Sequence, residues 1–267
     1  MILPSVSPAG LLLAVAAAAA YALPAAISSR LQMNALRLVL GAAWTLHGLT
    51  LAYGLFGPTP QFGFAPALSM TAWLALTVYG VESRVFPQLR ALGALAGLGA
   101  AAVLVAMVFP GTPLHVRLSP WLPLHWALGI ASYGMFAAAV FHAWLMTRAE
   151  KQMRQAAQQD AGLPLLTLER LTFRFVTAGF VLLSATLLAG WLFSEDLYGA
   201  GKVWQWNHKT IFSVLSWLVF ATLLVGRSRF GWRGRKAVRV LYAGSGLLLL
   251  AYVGSRFVLE VMLGRAS

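Results

Sequence analysis

The chain has 267 residues, 60% of them hydrophobic and only 10% charged, where a soluble domain carries roughly 25% charged residues. Mean hydropathy is +0.75, which makes this an integral membrane protein with no room for a sizeable soluble domain. Cysteine is absent, excluding disulfides, Cys-ligated metals, iron–sulfur clusters and a covalent Cys–haem linkage to this chain. A net charge of +13 would suggest nucleic acid in a soluble protein. Here the basic residues sit in short connections beside apolar runs, so membrane topology explains them and nucleic acid is not an expected partner.

A helix needs about 20 residues to cross the hydrocarbon core. The apolar runs predict eight such spans, roughly Ser7–Ile27, Ala35–Phe56, Pro66–Val81, Leu89–Val108, Leu122–Met146, Phe173–Phe193, Trp206–Val225 and Val238–Met262. The third is the shortest, trimmed by Pro66 and Glu82. The first lacks a basic n-region and is read as a retained helix. Of the 20 basic residues, 15 fall around the 1–2, 3–4, 5–6 and 7–8 connections. The others are Arg117, Lys202, Lys209, Arg256 and Arg265. By the positive-inside rule the first set is cytoplasmic and both termini are external. The expected fold is therefore all-α: one polytopic membrane domain, residues 1–267.

The 5–6 connection, Arg148–Leu166, is the only long polar one, with Gln152–Gln159 expected as a short amphipathic or frayed helix. The 7–8 connection, Gly231-Trp232-Arg233-Gly234-Arg235-Lys236, fixes topology and is also basic enough to attract anionic lipid headgroups. No internal sequence repeat, phosphate-binding loop or paired carboxylate is visible. With seven acidic residues and none pairing plausibly inside a span, a carboxylate proton relay is not expected. Nor is there a nucleophile–base pair for conventional enzymatic catalysis.

The stretch Trp204-Gln205-Trp206-Asn207-His208-Lys209-Thr210 closes an external loop between the sixth and seventh spans. Tryptophan prefers the membrane–water boundary, so an interfacial anchor is one reading. The five histidines are the remaining candidates for chemistry, because imidazole is the usual iron ligand when haem is held without cysteine. His125 follows two prolines that suit a first helical turn and opens the fifth span on the external side. His125, Gly129, Ser132 and Phe136 share a face that leaves space for a flat ligand. The alternative is a structural interfacial histidine. His47 lies about halfway through the second span, with Gly48 and Leu51 on its face. It is a functional candidate by default, or else makes a helix-to-helix hydrogen bond to a Ser or Thr. His142, roughly 25 Å along the helix from His125 at 1.5 Å per residue, is expected at the cytoplasmic boundary. His115 is expected to be solvated, and His208 shares the external side with His125, so the two could meet across one site.

The run Leu168-Glu169-Arg170-Leu171-Thr172-Phe173-Arg174, then Gly179-Phe180, Gly190-Trp191, the Trp204–Thr210 stretch and Ser216-Trp217-Leu218-Val219-Phe220 resembles the C-terminal half of cytochrome c assembly proteins of the CcsA type. Their tryptophan-rich "WWD" loop reads roughly W-x-W-D-P-K-E; here Asn207 stands for Asp and His208 for Pro. The match is closer to the short HemX-like branch, in which this loop is degenerate, and covers about residues 35 to 260. The resemblance makes His125 similar to the first external haem-ligand histidine and His47 to the first transmembrane one. The family's two later histidines have no counterpart: Val225 stands near one position, and Leu259-Glu260-Val261-Met262 replaces the other. Full cytochrome c synthetase activity would need both. Haem would then be held by one His plus a substitute such as His208, His115 or Met262, be bound loosely as a substrate, or not be bound at all.

The resulting expectation is a haem-handling membrane protein that assists cytochrome c assembly or haem homeostasis. It would hold haem b non-covalently on the external face through His125, with Trp204 and Trp206 against the porphyrin, His47 as a second intramembrane ligand and His208 nearby. The tryptophan-rich loop would lie over the outer ends of spans five and seven. Expected partners are membrane lipid and other cytochrome c assembly components or a haem-synthesis enzyme. The alternative is a non-haem scaffold that regulates a haem-synthesis enzyme or an ion transporter through its basic cytoplasmic loops. The expected location is the bacterial inner membrane.

Overall fold

The computed structural model describes residues 7–27, 32–85, 92–113, 121–154, 164–194 and 206–258. The protein is an all-α polytopic membrane protein, and its helices group into two compact units. The first comprises residues 1–115 with 256–267, the second residues 116–255.

In the first unit, α1 (Pro8–Ile27), α2 (Met33–Phe56), α3 (Phe64–Val85) and α4 (Leu92–Val108) are joined by a two-residue antiparallel pairing. Strand β1 (Gln61–Phe62) meets β2 (Thr112–Pro113) with Gln61 opposite Pro113 and Phe62 opposite Thr112. Gly111 makes this possible: its φ is +91°, and a Cβ there would lie 2.5 Å from the Phe62 carbonyl. The core between α1, α2 and α4 consists of Ala14, Ala17, Ala18, Tyr21, Ala43, Ala96 and Val103. Hydrocarbon solvent offers no hydrophobic drive to pack helices, so small side chains that admit close van der Waals contact do that work. Tyr21 lies flat on Gly99, whose Cβ would be 2.9 Å from the ring. Between α2 and α3, Trp44 and Trp73 stack at 4.9 Å, and Trp73 Nε1 donates to the Trp44 carbonyl at 2.9 Å.

The second unit contains α5 (Trp121–Arg154), α6 (Leu165–Leu192), α7 (His208–Phe230) and α8 (Gly234–Leu249). It holds an internal repeat that was not expected from the sequence. On α5, Ser132 donates to the Gly179 carbonyl of α6 at 3.2 Å, and Phe136 packs on the same glycine. On α7, Ser216 donates to the Gly244 carbonyl of α8 at 2.9 Å, and Phe220 packs on that glycine. The residue after each serine reaches the other hairpin: Tyr133 donates to the Leu248 carbonyl, and Trp217 to Ser184 Oγ at 2.8 Å. Phe136 and Phe220 stack at 3.8 Å between the two hairpins. The unit is thus two copies of one device, Ser-aromatic-x-x-Phe on one helix seated on a glycine of the next.

Seven helices are long and apolar enough to cross a membrane among the described residues. The shorter one is α4, with 17 residues, whereas α3 has 22 and is not the marginal span expected. Pro66 falls in the first turn of α3, where a missing N–H costs nothing, and the helix continues through Glu82. α5 runs on without a break to Arg154, taking in the start of the stretch expected as a separate helix; residues 155–163 lie outside the described part. The last span is not uniform. After Leu249 it continues as a π-helical turn, Leu250–Gly254. Such a turn displaces the i to i−4 ladder, and the Tyr133 hydroxyl engages the carbonyl of Leu248 just before it.

Candidate functional site

His125 lies in the second turn of α5, at the end that the basic-residue count assigns to the external side. Pro123 is accommodated in the first turn, and Trp121 stacks on Phe193 at 4.1 Å with the planes 7° apart, pinning the outer ends of α5 and α6 together. Between them the His125 ring lies against α6. A Cβ on Gly190 would be 3.2 Å from His125 Cε1 and 3.7 Å from Nδ1, so glycine is what lets the imidazole approach the helix. His125 Nδ1 is buried and has no hydrogen-bond partner among the described residues. An unmatched buried polar atom costs about 1–3 kcal/mol, so this nitrogen is a polar group that the helix packing leaves unsatisfied.

The rest of that face differs from expectation. The space beside Gly129 is filled by Thr186, whose Cγ2 would meet a Cβ at 3.6 Å. Ser132 and Phe136 are sealed against Gly179. The face is a helix–helix seam below His125, because three small or fitting residues at i, i+4 spacing suit a neighbouring helix as well as a flat ligand.

His208 is the first residue of α7 and is exposed. Asn207 before it is the N-cap: its Oδ1 accepts from Thr210 N at 3.0 Å and from Thr210 Oγ1 at 3.2 Å. The polar residue after the second tryptophan therefore starts the helix, a task that Asp and Asn perform equally well. Trp206 is 69% exposed. Lys209 Nζ lies 5.8 Å over the Tyr252 ring. Trp204, His115 and Met262 lie outside the described residues. Val225 is 53% exposed, so a ligand-bearing side chain at that position would point outward from its unit.

His47 belongs to the first unit and is fully buried. Its Nε2 is 2.8 Å from Ser69 Oγ on α3, and its Nδ1 is 3.4 Å from Tyr21 Oη on α1. Three helices meet at this ring. A cavity of about 110 Å³ that shares Ser69 with this site is lined also by Thr50, Leu51, Tyr53, Met70 and Met107, among others, and not by His47. That is far below the 300–1,000 Å³ typical of cofactor pockets. His142 is 1% exposed and packed against Phe175 at 5.2 Å, with Nδ1 2.8 Å from the Ala138 carbonyl; it is a seam residue of α5 and α6. Among the described residues no three His, Asp or Glu side chains cluster to hold a metal ion. Thr186 near His125 and Tyr21 beside His47 had no local sequence signal, whereas Ser69 supplies the helix-to-helix hydrogen bond to a Ser or Thr that was the expected alternative for His47.

The family model for cytochrome c assembly proteins matches residues 8–263, spanning both units. The chain belongs to the cytochrome c assembly protein family. It is similar to the inner membrane protein YpjD of Escherichia coli (strain K12), with 31% identity over 151 residues, 55% of this chain and 56% of that protein. An uncharacterized 28.8 kDa protein of Azospirillum brasilense is 32% identical over 201 residues, covering 74% of this chain and 69% of that one. The cytochrome c biogenesis protein CcsA of Prochlorococcus marinus (strain NATL1A) is 33% identical over 87 residues, covering 33% of this chain and 27% of that protein. The match thus spans a little over half of the first relative and about a quarter of the CcsA protein. With its candidate spans and this kinship, the chain is a multi-pass protein of the bacterial inner membrane.

Proposed function

We propose that this chain handles haem b at the external side of the inner membrane, in cytochrome c assembly or haem homeostasis, and holds it non-covalently through His125. The observation that carries this is the buried, unpartnered Nδ1 of His125 at the outer end of α5. A neutral imidazole nitrogen with no protein partner is what an iron ligand requires. Gly190 lets the ring lie close against α6, which holds the imidazole in place at the outer end of α5. Trp206 offers an exposed indole face for a flat macrocycle, with Trp204 beside it in sequence. Haem, when bound, supplies an iron that accepts the imidazole. The protein's part is to orient that nitrogen, offer aromatic surface and, lacking cysteine, leave the macrocycle free to depart. His208 stands as the second external ligand of this reading.

His47 has a subordinate place. Both ring nitrogens face hydroxyls, and iron ligation there would have to displace one, the longer contact to Tyr21 at 3.4 Å being the weaker. Family kinship supports membrane-associated assembly components as partners. In this reading the chain acts as a haem holder and not a synthetase, because Val225 and Leu259-Glu260-Val261-Met262 stand where the family's two later histidines would fall. The test is purification in detergent after growth with added haem. The wild type is expected to show a Soret band that His125→Ala lacks. Colourless wild-type protein would refute the reading.

A further inference from the structure

Topology requires little charge: the connections after α1 and α3 carry two basic residues each, whereas five and six surround those after α5 and α7. Only part of this excess is matched within the second unit. Arg227 pairs with Glu169, and Arg233 Nε lies 3.6 Å from the same carboxylate. Arg170 and Arg174 on α6, and Arg235 and Arg239 on α8, are exposed and make no ion pair among the described residues. Each couple is spaced i, i+4, which stacks like charge on one helix face and destabilises a bare helix. Two more cations are held against tryptophans: Arg148 Cζ lies 5.5 Å over Trp144, and Lys236 Nζ lies 4.0 Å over Trp232. Tryptophan settles at headgroup level, so these cations sit at the depth of lipid phosphates.

From this arrangement we propose that the cytoplasmic end of the second unit binds anionic phospholipid headgroups, through the Arg170/Arg174 and Arg235/Arg239 ladders. This is independent of haem. A phosphate over each ladder cancels the repulsion and accepts charge-assisted hydrogen bonds from both guanidinium groups. A lipid fits better than an acidic protein, because the ladders lie on helix flanks in the unit that also carries the Arg148–Trp144 and Lys236–Trp232 pairs, and not on a projecting loop.

The experiment extracts the full chain from vesicles of phosphatidylcholine mixed with phosphatidylglycerol and counts retained lipids by native mass spectrometry. Wild type is expected to retain phosphatidylglycerol preferentially, and less of it as salt rises. Replacing all four arginines by glutamine should cut that preference at least about fivefold, roughly the effect of a single basic residue near the surface. Arg37→Gln with Arg84→Gln in the first unit should leave it intact. Equal retention of both lipids by the wild type would overturn the proposal, and this arm decides even if the fourfold variant fails to insert. Undiminished preference in a folded fourfold variant, or displacement of lipid by a co-purifying acidic protein, would also overturn it.

Discussion

Replacing Gly244 by alanine tests the repeat of the second unit at its tightest point. The new methyl would stand 2.8 Å from Phe220 Cε1 and 3.0 Å from Cζ. Phe220 has no exposure and stacks on Phe136 at 3.8 Å, which itself rests on Gly179, so the ring cannot retreat without moving a second hairpin. Overpacking of this kind costs about 1–3 kcal/mol. The control lies two residues on: a Cβ at Gly246 meets nothing within 4 Å, and alanine there should gain up to about 1 kcal/mol of helix propensity. The propensity gain is common to both sites, so the two variants should differ by the overpacking cost of about 1–3 kcal/mol, or at least about 2 °C in melting temperature at roughly 2–4 °C per kcal/mol. Thermal denaturation in one detergent, followed by circular dichroism, reads the difference. Equal melting temperatures would show that the stacked phenylalanines do not join the hairpins.

Three further outcomes follow from the same geometry. Ser69→Ala removes the 2.8 Å partner of His47 and should lower stability by about 1 kcal/mol, the modest scale of hydrogen bonds between membrane helices, in the same melting assay. Asn207→Ala should cost about 1 kcal/mol through loss of the N-cap of α7, while Asn207→Asp retains it; a deficit in the Asp variant would contradict the capping role. Tyr133→Phe leaves the Leu248 carbonyl without its hydroxyl donor and should raise amide hydrogen exchange around the π turn at 250–254, with exchange in α1–α4 unchanged.

The spans and their membrane character were legible because a run of about 20 apolar residues has few other uses. The Trp206–Thr210 stretch was legible as a boundary, and its Asn207 proves to be a helix cap, a role written in its own side chain. The Ser-aromatic-x-x-Phe repeat was not legible. Each copy has only three fixed residues, and its glycine partner is 47 residues away in one case and 28 in the other, so no constant period exists. The partners of His47 were hidden for the same reason, lying 26 and 22 residues distant on two other helices. The small residues near His125 were read as room for a ligand, but glycine beside a helix admits a neighbouring helix just as readily, and Thr186 fills the place beside Gly129.

The most direct test of the haem assignment is a haem titration of purified wild type and His125→Gly, followed at the Soret band with and without added imidazole. The expected result is saturable binding by the wild type, weakened binding by the glycine variant, and recovery of the wild-type spectrum when imidazole fills the vacated position. Identical titrations for the two proteins would contradict His125 as the ligand, and no saturable binding by either would remove haem from the proposed function.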